Sequence, residues 1–107
     1  MGVDAEAFVA AYLADEGFVV LERNWQAAGA EIDLIVGRGG LVRFVEVKAR
    51  PDESAWDAVT TDKQRRLRRA AEAWLAHHDV DECAFMVAWV KAGDDGSLGL
   101  ELLDDAF

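Results

Sequence analysis

A glycine-rich segment, Gly37-Arg38-Gly39-Gly40, separates two apolar runs in the middle of the chain. The run before it, residues 31–36, begins as an alternation of polar and apolar residues, and the run after it, residues 41–49, is rich in valine. Two such runs on either side of a glycine-rich turn predict a β-hairpin. This hairpin constrains the fold more than any other feature, because it brings charged residues of both runs into one neighbourhood.

Charged side chains recur on one face of each predicted hairpin strand. Because side chains alternate between the two faces of a strand, Glu46 and Lys48 share one face of the second strand. Asp33 and Glu31 share one face of the first strand by the same rule. The residues predicted for its opposite face are Ile32, Leu34 and Val36.

The length of the turn decides whether the two charged faces coincide. A two-residue loop at positions 38–39 pairs Asp33 with Phe44 and leaves Glu46 one diagonal step away, whereas a four-residue loop pairs Asp33 directly with Glu46. In both registers the two carboxylates share a face, with β-carbons roughly 5–8 Å apart. A three-residue loop would break this parity unless a β-bulge restored it.

Paired carboxylates on an apolar hairpin predict a bound cation. Two carboxylates about 4 Å apart repel by about 4 kcal/mol at an effective dielectric constant of about 20. Oxygen ligands without histidine or clustered cysteine favour Mg²⁺ or Mn²⁺ over Zn²⁺. Lys48 could orient or deprotonate a water on such an ion, or stabilise the charge that develops on a phosphate. The alternative is a solvated strand face with a cross-strand salt bridge.

Helical and strand periodicities extend over the rest of the chain. Helices are predicted from an Asp4 cap to about Glu16 and over residues 62–77. Strands are predicted at residues 18–25, 31–36, 41–49, 83–91 and 98–103, with a loop or short helical turn at 52–60. The predicted order is α-β-β-β-α-β-β, a mixed α/β sheet flanked by helices in a single domain spanning residues 1–107.

The net charge of −10 argues against nucleic-acid binding, but its distribution weakens that objection. Five of the eleven Lys and Arg residues lie between positions 63 and 69, where there is no acid. The predicted DNA-binding residues are Lys63, Gln64, Arg65, Arg66, Arg68, Arg69 and Arg50. A solvated charged helix face is the alternative for the arginines.

Three residues outside the hairpin have both a functional and a structural interpretation. Lys63 falls within about 40° of the centre of the apolar stripe of its helix, so it either meets carboxylates or phosphate or snorkels to solvent. Glu6 lies about 90° from the stripe of the first helix and is either a site residue or a boundary glutamate. Trp56 either stacks on a nucleic-acid base or has no role in binding.

Two histidines and the cysteine are predicted to have structural roles and no part in catalysis or binding. His77 and His78 are expected to interact with the C-terminal dipole of the second helix. Cys83, the single cysteine, is expected to be a small buried hydrophobe.

The cysteine count, the N-terminal segment and the length of the apolar runs bear on where the protein resides in the cell. One cysteine excludes an intrachain disulfide and favours a reducing cytoplasm. The acidic N-terminal segment is unlike a secretory signal, and no apolar run approaches the length that spans a bilayer. We therefore expect a cytoplasmic protein without a membrane partner, and the sequence leaves its oligomeric state open, with a homodimer as one option.

The strand motifs resemble those of a known bacterial family. The residues that carry the resemblance are Asn24, the run Ala30-Glu31-Ile32-Asp33-Leu34-Ile35 and the run Phe44-Val45-Glu46-Val47-Lys48-Ala49-Arg50. Glu6, Lys63 and the Ala106-Phe107 ending extend it over nearly the whole chain. These residues are similar to those of YraN-type proteins, which are predicted members of the PD-(D/E)xK, restriction-endonuclease-like fold and resemble archaeal Holliday-junction resolvases.

This resemblance implies a metal-dependent nuclease. It implies metal ligation by Asp33, Glu46 and the main-chain carbonyl of Val47, with Glu6 as an outer ligand and Lys48 as the catalytic lysine. The implied activity is hydrolysis of phosphodiester bonds in DNA, including branched or damaged DNA, with Mg²⁺ or Mn²⁺. A non-catalytic nucleic-acid-binding module of the same fold and an acidic protein-interaction domain are the alternatives.

The chain departs from the family pattern at three places. Ala5 and Ala30 stand where glycine is usual, and Ala84-Phe85-Met86 stands where Arg-Phe-Asp is usual. These departures leave the implied metal ligands in place, although the last one changes the chemistry of a neighbouring strand.

Overall fold

Five strands form one sheet with helices on both faces in the computed structural model, which describes residues 4–107. The helices are α1 (Ala5–Asp15), α2 (Ser54–Asp57) and α3 (Thr61–Leu75). The strands are β1 (Val19–Ala27), β2 (Ala30–Arg38), β3 (Leu41–Ala49), β4 (Glu82–Ala92) and β5 (Leu98–Asp104). The predicted mixed α/β architecture is confirmed, and the short α2 lies within the segment predicted as a loop or helical turn.

Side-chain caps set the first residues of both long helices. The carboxylate of Asp4 accepts a hydrogen bond from the N–H of Ala7 at 3.0 Å, as the predicted cap requires. The hydroxyl of Thr60 accepts a hydrogen bond from the N–H of Lys63 at 3.2 Å. Helix α3 therefore begins at Thr61, before the predicted residue 62, and it ends at Leu75, before the predicted residue 77.

The strands lie in the order β1-β2-β3-β4-β5. Strands β3 and β4 pair in parallel, and α3 lies in the connection between them, as a parallel crossover requires. The other neighbouring strands pair antiparallel. The predicted hairpin is formed by β2 and β3.

The hairpin has a two-residue turn at positions 39–40, one residue later than the predicted two-residue loop at positions 38–39. Arg38 pairs with Leu41, so Gly39 and Gly40 alone form the turn, and Gly39 has a φ of +62° that glycine adopts readily. Gly37 pairs with Val42, the register that sets Asp33 opposite Glu46 when it is extended. The predicted four-residue loop is wrong because β2 continues through Arg38, which adds one more residue pair to the ladder.

Each face of the sheet carries its own hydrophobic cluster. The α3-side cluster contains Ile32, Ile35, Val42, Phe44, Val59, Leu67, Ala70, Ala71, Trp74, Phe85 and Val87. The α1-side cluster contains Val9, Ala10, Leu13, Leu34, Val36, Val45, Met86, Ala88 and Val90. Burial of each large apolar side chain contributes about 1.5–3 kcal/mol, so the two clusters fix both helices against the sheet.

Ile32 corrects the predicted alternation along β2. It packs in the α3-side cluster with Ile35, whereas Leu34 and Val36 face α1. The ladder between β2 and β3 ends at the pair Leu34 and Val45, so β2 is held only by β1 at Ile32. Strict alternation requires a regular ladder, and β2 departs from it next to Asp33.

Cys83 corrects a second prediction, because its side chain is exposed. Strand β4 begins at Glu82, and continuous burial along it begins only at Phe85. Cys83 thus lies on the part of the strand that extends beyond the core. Within residues 4–107, no helix has the length and apolar character needed to cross a membrane.

Candidate functional site

A cavity of about 470 Å³ lies where β2 separates from β3. Its charged lining residues are Glu6, Glu31, Asp33, Glu46, Lys48, Lys63 and Arg66. The acids come from α1, β2 and β3, and the cations come from β3 and α3. The cavity therefore has an acidic side and a basic side that meet at Glu46.

Asp33 is fixed at the point of strand separation. Its Oδ2 accepts a hydrogen bond from the main-chain N–H of Val47 at 2.8 Å. This bond takes the place of a main-chain ladder bond and connects β2 to β3 beyond the pair Leu34 and Val45. The carboxylate consequently faces the same cavity as Glu46, as the hairpin parity predicted.

Glu46 is a buried carboxylate with one oxygen close to two lysines and one oxygen without a hydrogen-bond partner among the described residues. The residue is only 2% exposed. Its Oε2 lies 3.3 Å from the Nζ of Lys63 and 3.8 Å from the Nζ of Lys48. Among residues 4–107, nothing hydrogen-bonds to its buried Oε1. A buried acceptor left without a partner is destabilising, so this oxygen is suited to a ligand that the protein alone does not supply.

The pKa values of the two central carboxyls are both raised. Burial, followed by the charge of Asp33, raises the pKa of Glu46 to about 7, although Lys63 and Lys48 act in the opposite direction. Burial also raises the pKa of Asp33, and the bond from Val47 opposes this change. A cation between the two carboxylates would offset both the energetic cost of burying their charges and the repulsion between them.

The two lysines differ in their proton affinity. Burial, together with the neighbouring Lys63, lowers the pKa of Lys48 below its ordinary value. Burial also disfavours the charged form of Lys63, but its contacts with Lys48 and Glu46 outweigh this effect and raise its pKa. A lowered pKa makes Lys48 the candidate of the two for a proton-accepting amine.

Glu6 and Glu31 lie on the acidic side of the cavity and share a neighbour, Asn24. The Asn24 amide Nδ2 lies 3.0 Å from Glu6 Oε1 and 2.8 Å from Glu31 Oε1. The amide Nε2 of Gln26 lies 3.0 Å from Glu31 Oε2. Burial and the nearby acids raise the pKa of Glu6, and the bond from Asn24 partly opposes them.

Sequence reasoning assigned no role to Asn24 or Gln26 in this arrangement. A signal was nevertheless present, because two amide side chains two residues apart on a strand share a face. Gln26 pairs with Glu31 across β1 and β2, so this face meets the charged end of β2.

The donor set fits Mg²⁺ or Mn²⁺ bound through few protein ligands. All the acidic groups supply oxygen ligands, and Glu46, whose Oε1 has no hydrogen-bond partner among residues 4–107, lines the same cavity as Asp33. No group of three or more His, Cys, Asp or Glu side chains within residues 4–107 forms a preassembled metal cluster. Magnesium can bind through one or two carboxylates and retain several waters, and Asp33 and Glu46 are two carboxylates that line one cavity.

The predicted DNA-binding residues separate into two sets. Lys63 and Arg66 reach the cavity. Arg66 also lies 3.2 Å from Asp62, and Arg65 lies 3.6 Å from the same carboxylate. The basic end of α3 is therefore partly neutralised by its own first turn.

The remaining predicted DNA-binding residues lie away from the cavity lining. The Gln64 amide donates to the carbonyl of Val59 at 3.1 Å, and the Arg68 guanidinium lies 5.6 Å from the ring centre of Phe107. Arg69 is exposed on α3. Arg50 lines a different cavity, beside Pro51 and Val90. Their grouping with Lys63 in the sequence does not carry over to one surface.

The structure shows where Trp56, predicted as a candidate base-stacking residue, and His78, predicted to interact with a helix end, make their contacts. Trp56 packs edge-on against Trp89, with ring centres 5.4 Å apart, and it is not among the residues that line the cavity. His78 stacks on Trp74 with ring centres 3.8 Å apart, and its Nδ1 lies 2.7 Å from the Trp74 carbonyl. This contact with a carbonyl of the last helical turn agrees with a helix-end role for His78.

Comparison with known proteins identifies relatives over nearly the whole chain. The model of "Uncharacterised protein family UPF0102" matches residues 5–90, a segment that includes every charged residue of the cavity lining. A UPF0102 protein of Gloeobacter violaceus is 45% identical over 105 residues, which cover 92% of this chain and 83% of the relative. Another of Chlorobium chlorochromatii is 40% identical over 116 residues, which cover 100% of this chain and 90% of the relative.

A third relative, a UPF0102 protein of Symbiobacterium thermophilum, is 38% identical over 112 residues, which cover 100% of this chain and 95% of the relative. These names assign no activity to the relatives. The resemblance to YraN-type bacterial proteins is confirmed at the level of the family. The chain belongs to the uncharacterised protein family UPF0102.

Proposed function

We propose that this protein is a divalent-metal-dependent nuclease that hydrolyses phosphodiester bonds in DNA. The observation that carries the proposal is the buried Oε1 of Glu46, which has no hydrogen-bond partner among the described residues and belongs to a residue that lines the same cavity as Asp33. Two lysines adjoin the other oxygen of the same carboxylate. Acidic groups for a cation and basic groups for a phosphate therefore meet at one residue.

We further propose that the domain has the PD-(D/E)xK, restriction-endonuclease-like fold. Support comes from the hairpin β2-β3, from its acid on β2 and its Glu-x-Lys motif on β3, and from α3 leading into the parallel strand β4. The strand motifs resemble those of YraN-type proteins, for which this fold is predicted. The cavity lies where the two strands that carry the motifs separate.

Asp33 and Glu46 would hold the metal, and the resemblance adds the main-chain carbonyl of Val47 and an outer contribution from Glu6. When bound, a divalent ion neutralises charge on a phosphate and lowers the pKa of a bound water. The orphaned Oε1 of Glu46 would gain the partner that it lacks among residues 4–107. The raised pKa values of both carboxyls would return toward ordinary values for the same reason.

The lysines supply the remaining chemistry. Lys48 has a lowered pKa and lies at the cavity, so its Nζ can take a proton from an attacking water or hold that water in place. Lys63 stays charged and, with Arg66, presents cations to a phosphate that enters from the basic side. Lys63 also keeps Glu46 oriented through its 3.3 Å contact.

Branched or damaged DNA is the substrate class that the resemblance to Holliday-junction resolvases favours. The net charge of −10 disfavours long, non-specific contact with duplex DNA, so productive contact is confined to the basic side of the cavity. With a single cysteine, the proposed place of action is the reducing cytoplasm.

A divalent-ion titration with a panel of single-stranded, duplex and four-way DNA tests this function. We expect cleavage of at least one substrate with Mg²⁺ or Mn²⁺, none with a chelator, and none by Asp33→Asn. Asp94→Asn, in the exposed turn between β4 and β5 and outside the cavity lining, serves as the matched control and should cleave normally. Salt-dependent DNA binding without cleavage of any substrate would instead indicate a non-catalytic binding module.

A further inference from the structure

Asn24 has an unusual main-chain conformation for a residue inside a strand. Its φ is +52°, in the left-handed region that residues other than glycine rarely adopt. Asparagine tolerates this region better than most residues, because its short polar side chain can bond locally. Such a conformation persists where the surroundings hold it, and here the surroundings include two carboxylates of the cavity.

One amide group of Asn24 connects two acids from different elements. Nδ2 has two hydrogens, and it lies 3.0 Å from an oxygen of Glu6 on α1 and 2.8 Å from an oxygen of Glu31 on β2. The two carboxylates repel each other, and a neutral double donor between them offsets that repulsion. An aspartate at this position could not donate, and a glycine would have no side chain to bridge the acids.

The two acids differ in how firmly they are held. Glu31 also receives the amide of Gln26 at 3.0 Å, so both of its oxygens have a donor. For Glu6, the described structure provides a single side-chain donor, Asn24. Glu31 is therefore the anchored end, and Asn24 transfers that anchoring to the carboxylate on α1.

We propose that Asn24 is a positioning residue that holds the Glu6 carboxylate at the cavity, so that α1 contributes negative charge to the cation bound by Asp33 and Glu46. This inference rests on the proposed metal site. It goes beyond that site by giving Glu6 a defined orientation and by naming the group that sets it. Asn24 itself need not touch the ion or the substrate.

Two substitutions separate the amide from the main-chain conformation. Asn24→Gly keeps the left-handed φ accessible and removes the amide. Ala28→Gly is the matched control, because Ala28 also has a φ of +52° and is not among the residues that line the cavity. Glu6→Gln removes the charge that Asn24 is proposed to position.

The measurement is Mn²⁺ binding by calorimetry without DNA, on the parent, Asn24→Gly, Glu6→Gln and the double variant. We expect each single substitution to weaken Mn²⁺ binding about tenfold, the lower end of the effect of groups that orient metal ligands. The double variant should bind no more weakly than Glu6→Gln, because the effect of Asn24 passes through Glu6. Ala28→Gly should bind like the parent.

Three results would overturn the inference. They are unchanged affinity in Asn24→Gly even where its melting temperature falls, unchanged affinity in Glu6→Gln, and single effects that multiply in the double variant. Asp33→Asn distinguishes the two levels of the account. If Asp33→Asn loses affinity and Asn24→Gly does not, only the role of Asn24 is wrong. If the parent binds no Mn²⁺, or binds it as Asp33→Asn does, the metal site is wrong and the inference falls with it.

Discussion

The carboxylate of Asp33 accepts a hydrogen bond from the main-chain N–H of Val47, 2.8 Å away, at the place where β2 separates from β3. Through this bond a side chain takes over the pairing that the strand main chains give up. The separation opens the cavity, and the bond keeps Asp33 beside Glu46 within it. The bond thus aligns the two acids at the opening that the separated strands leave.

Asp33→Asn should weaken divalent-ion binding and leave the fold intact. The amide oxygen of asparagine can still accept the hydrogen bond from Val47, but one anionic ligand is lost. We expect the Mn²⁺ dissociation constant to rise about tenfold or more in calorimetry, with little change in melting temperature. Asp94→Asn, in the exposed turn between β4 and β5, is the control. Equal affinity of Asp33→Asn and the parent would count against the site.

Glu46 should make the metal-free protein less stable as the pH rises. Its pKa in the folded state is about 7, above the ordinary value of 4.5, so the folded protein binds this proton more tightly than the unfolded chain. The destabilisation is absent below about pH 4.5 and complete above about pH 7, and it amounts to on the order of 3 kcal/mol.

Urea unfolding of the parent and Glu46→Gln with a chelator at pH 5 and pH 8 measures this effect. Glu46→Gln should remove that part of the pH dependence and should be the more stable protein at pH 8. Saturating Mg²⁺ should stabilise the parent and have little effect on the variant. If the free energies of unfolding of the two proteins change in parallel with pH, the pKa of Glu46 is not raised in the folded state.

The two sets of basic residues on α3 should differ in their effect on DNA. Arg66 reaches the cavity, whereas Arg68 packs against Phe107. We expect Arg66→Gln to weaken DNA binding and to reduce the salt dependence by nearly one unit of slope for a lost phosphate contact. Fluorescence anisotropy over a range of salt concentrations, with Arg68→Gln for comparison, measures this. Equal slopes in the two variants would place the DNA elsewhere.

Local sequence patterns sufficed to predict several features of the site. Alternation along β3 put Glu46 and Lys48 on one face, and both residues line the cavity. The helical stripe predicted an inward Lys63, and its Nζ lies 3.3 Å from Glu46. These predictions needed only the regular geometry of one strand and one helix.

Features that depend on where elements end could not be predicted in the same way. Ile32 faces α3 because the ladder between β2 and β3 ends at Leu34, and Cys83 is exposed because β4 extends past the core. The double contact of Asn24 depends on α1, β1 and β2 meeting in space. No spacing along the chain specifies that meeting.

Single-turnover cleavage by Lys48→Ala tests the central claim most directly. With saturating protein and Mg²⁺, we expect the parent to cleave at least one DNA of the panel. Lys48→Ala should bind metal and DNA nearly as the parent does but cleave about a hundredfold more slowly, the usual loss for one electrostatic donor. If Lys48→Ala cleaves every substrate as fast as the parent, the lysine is not part of the reaction and the proposed mechanism is wrong.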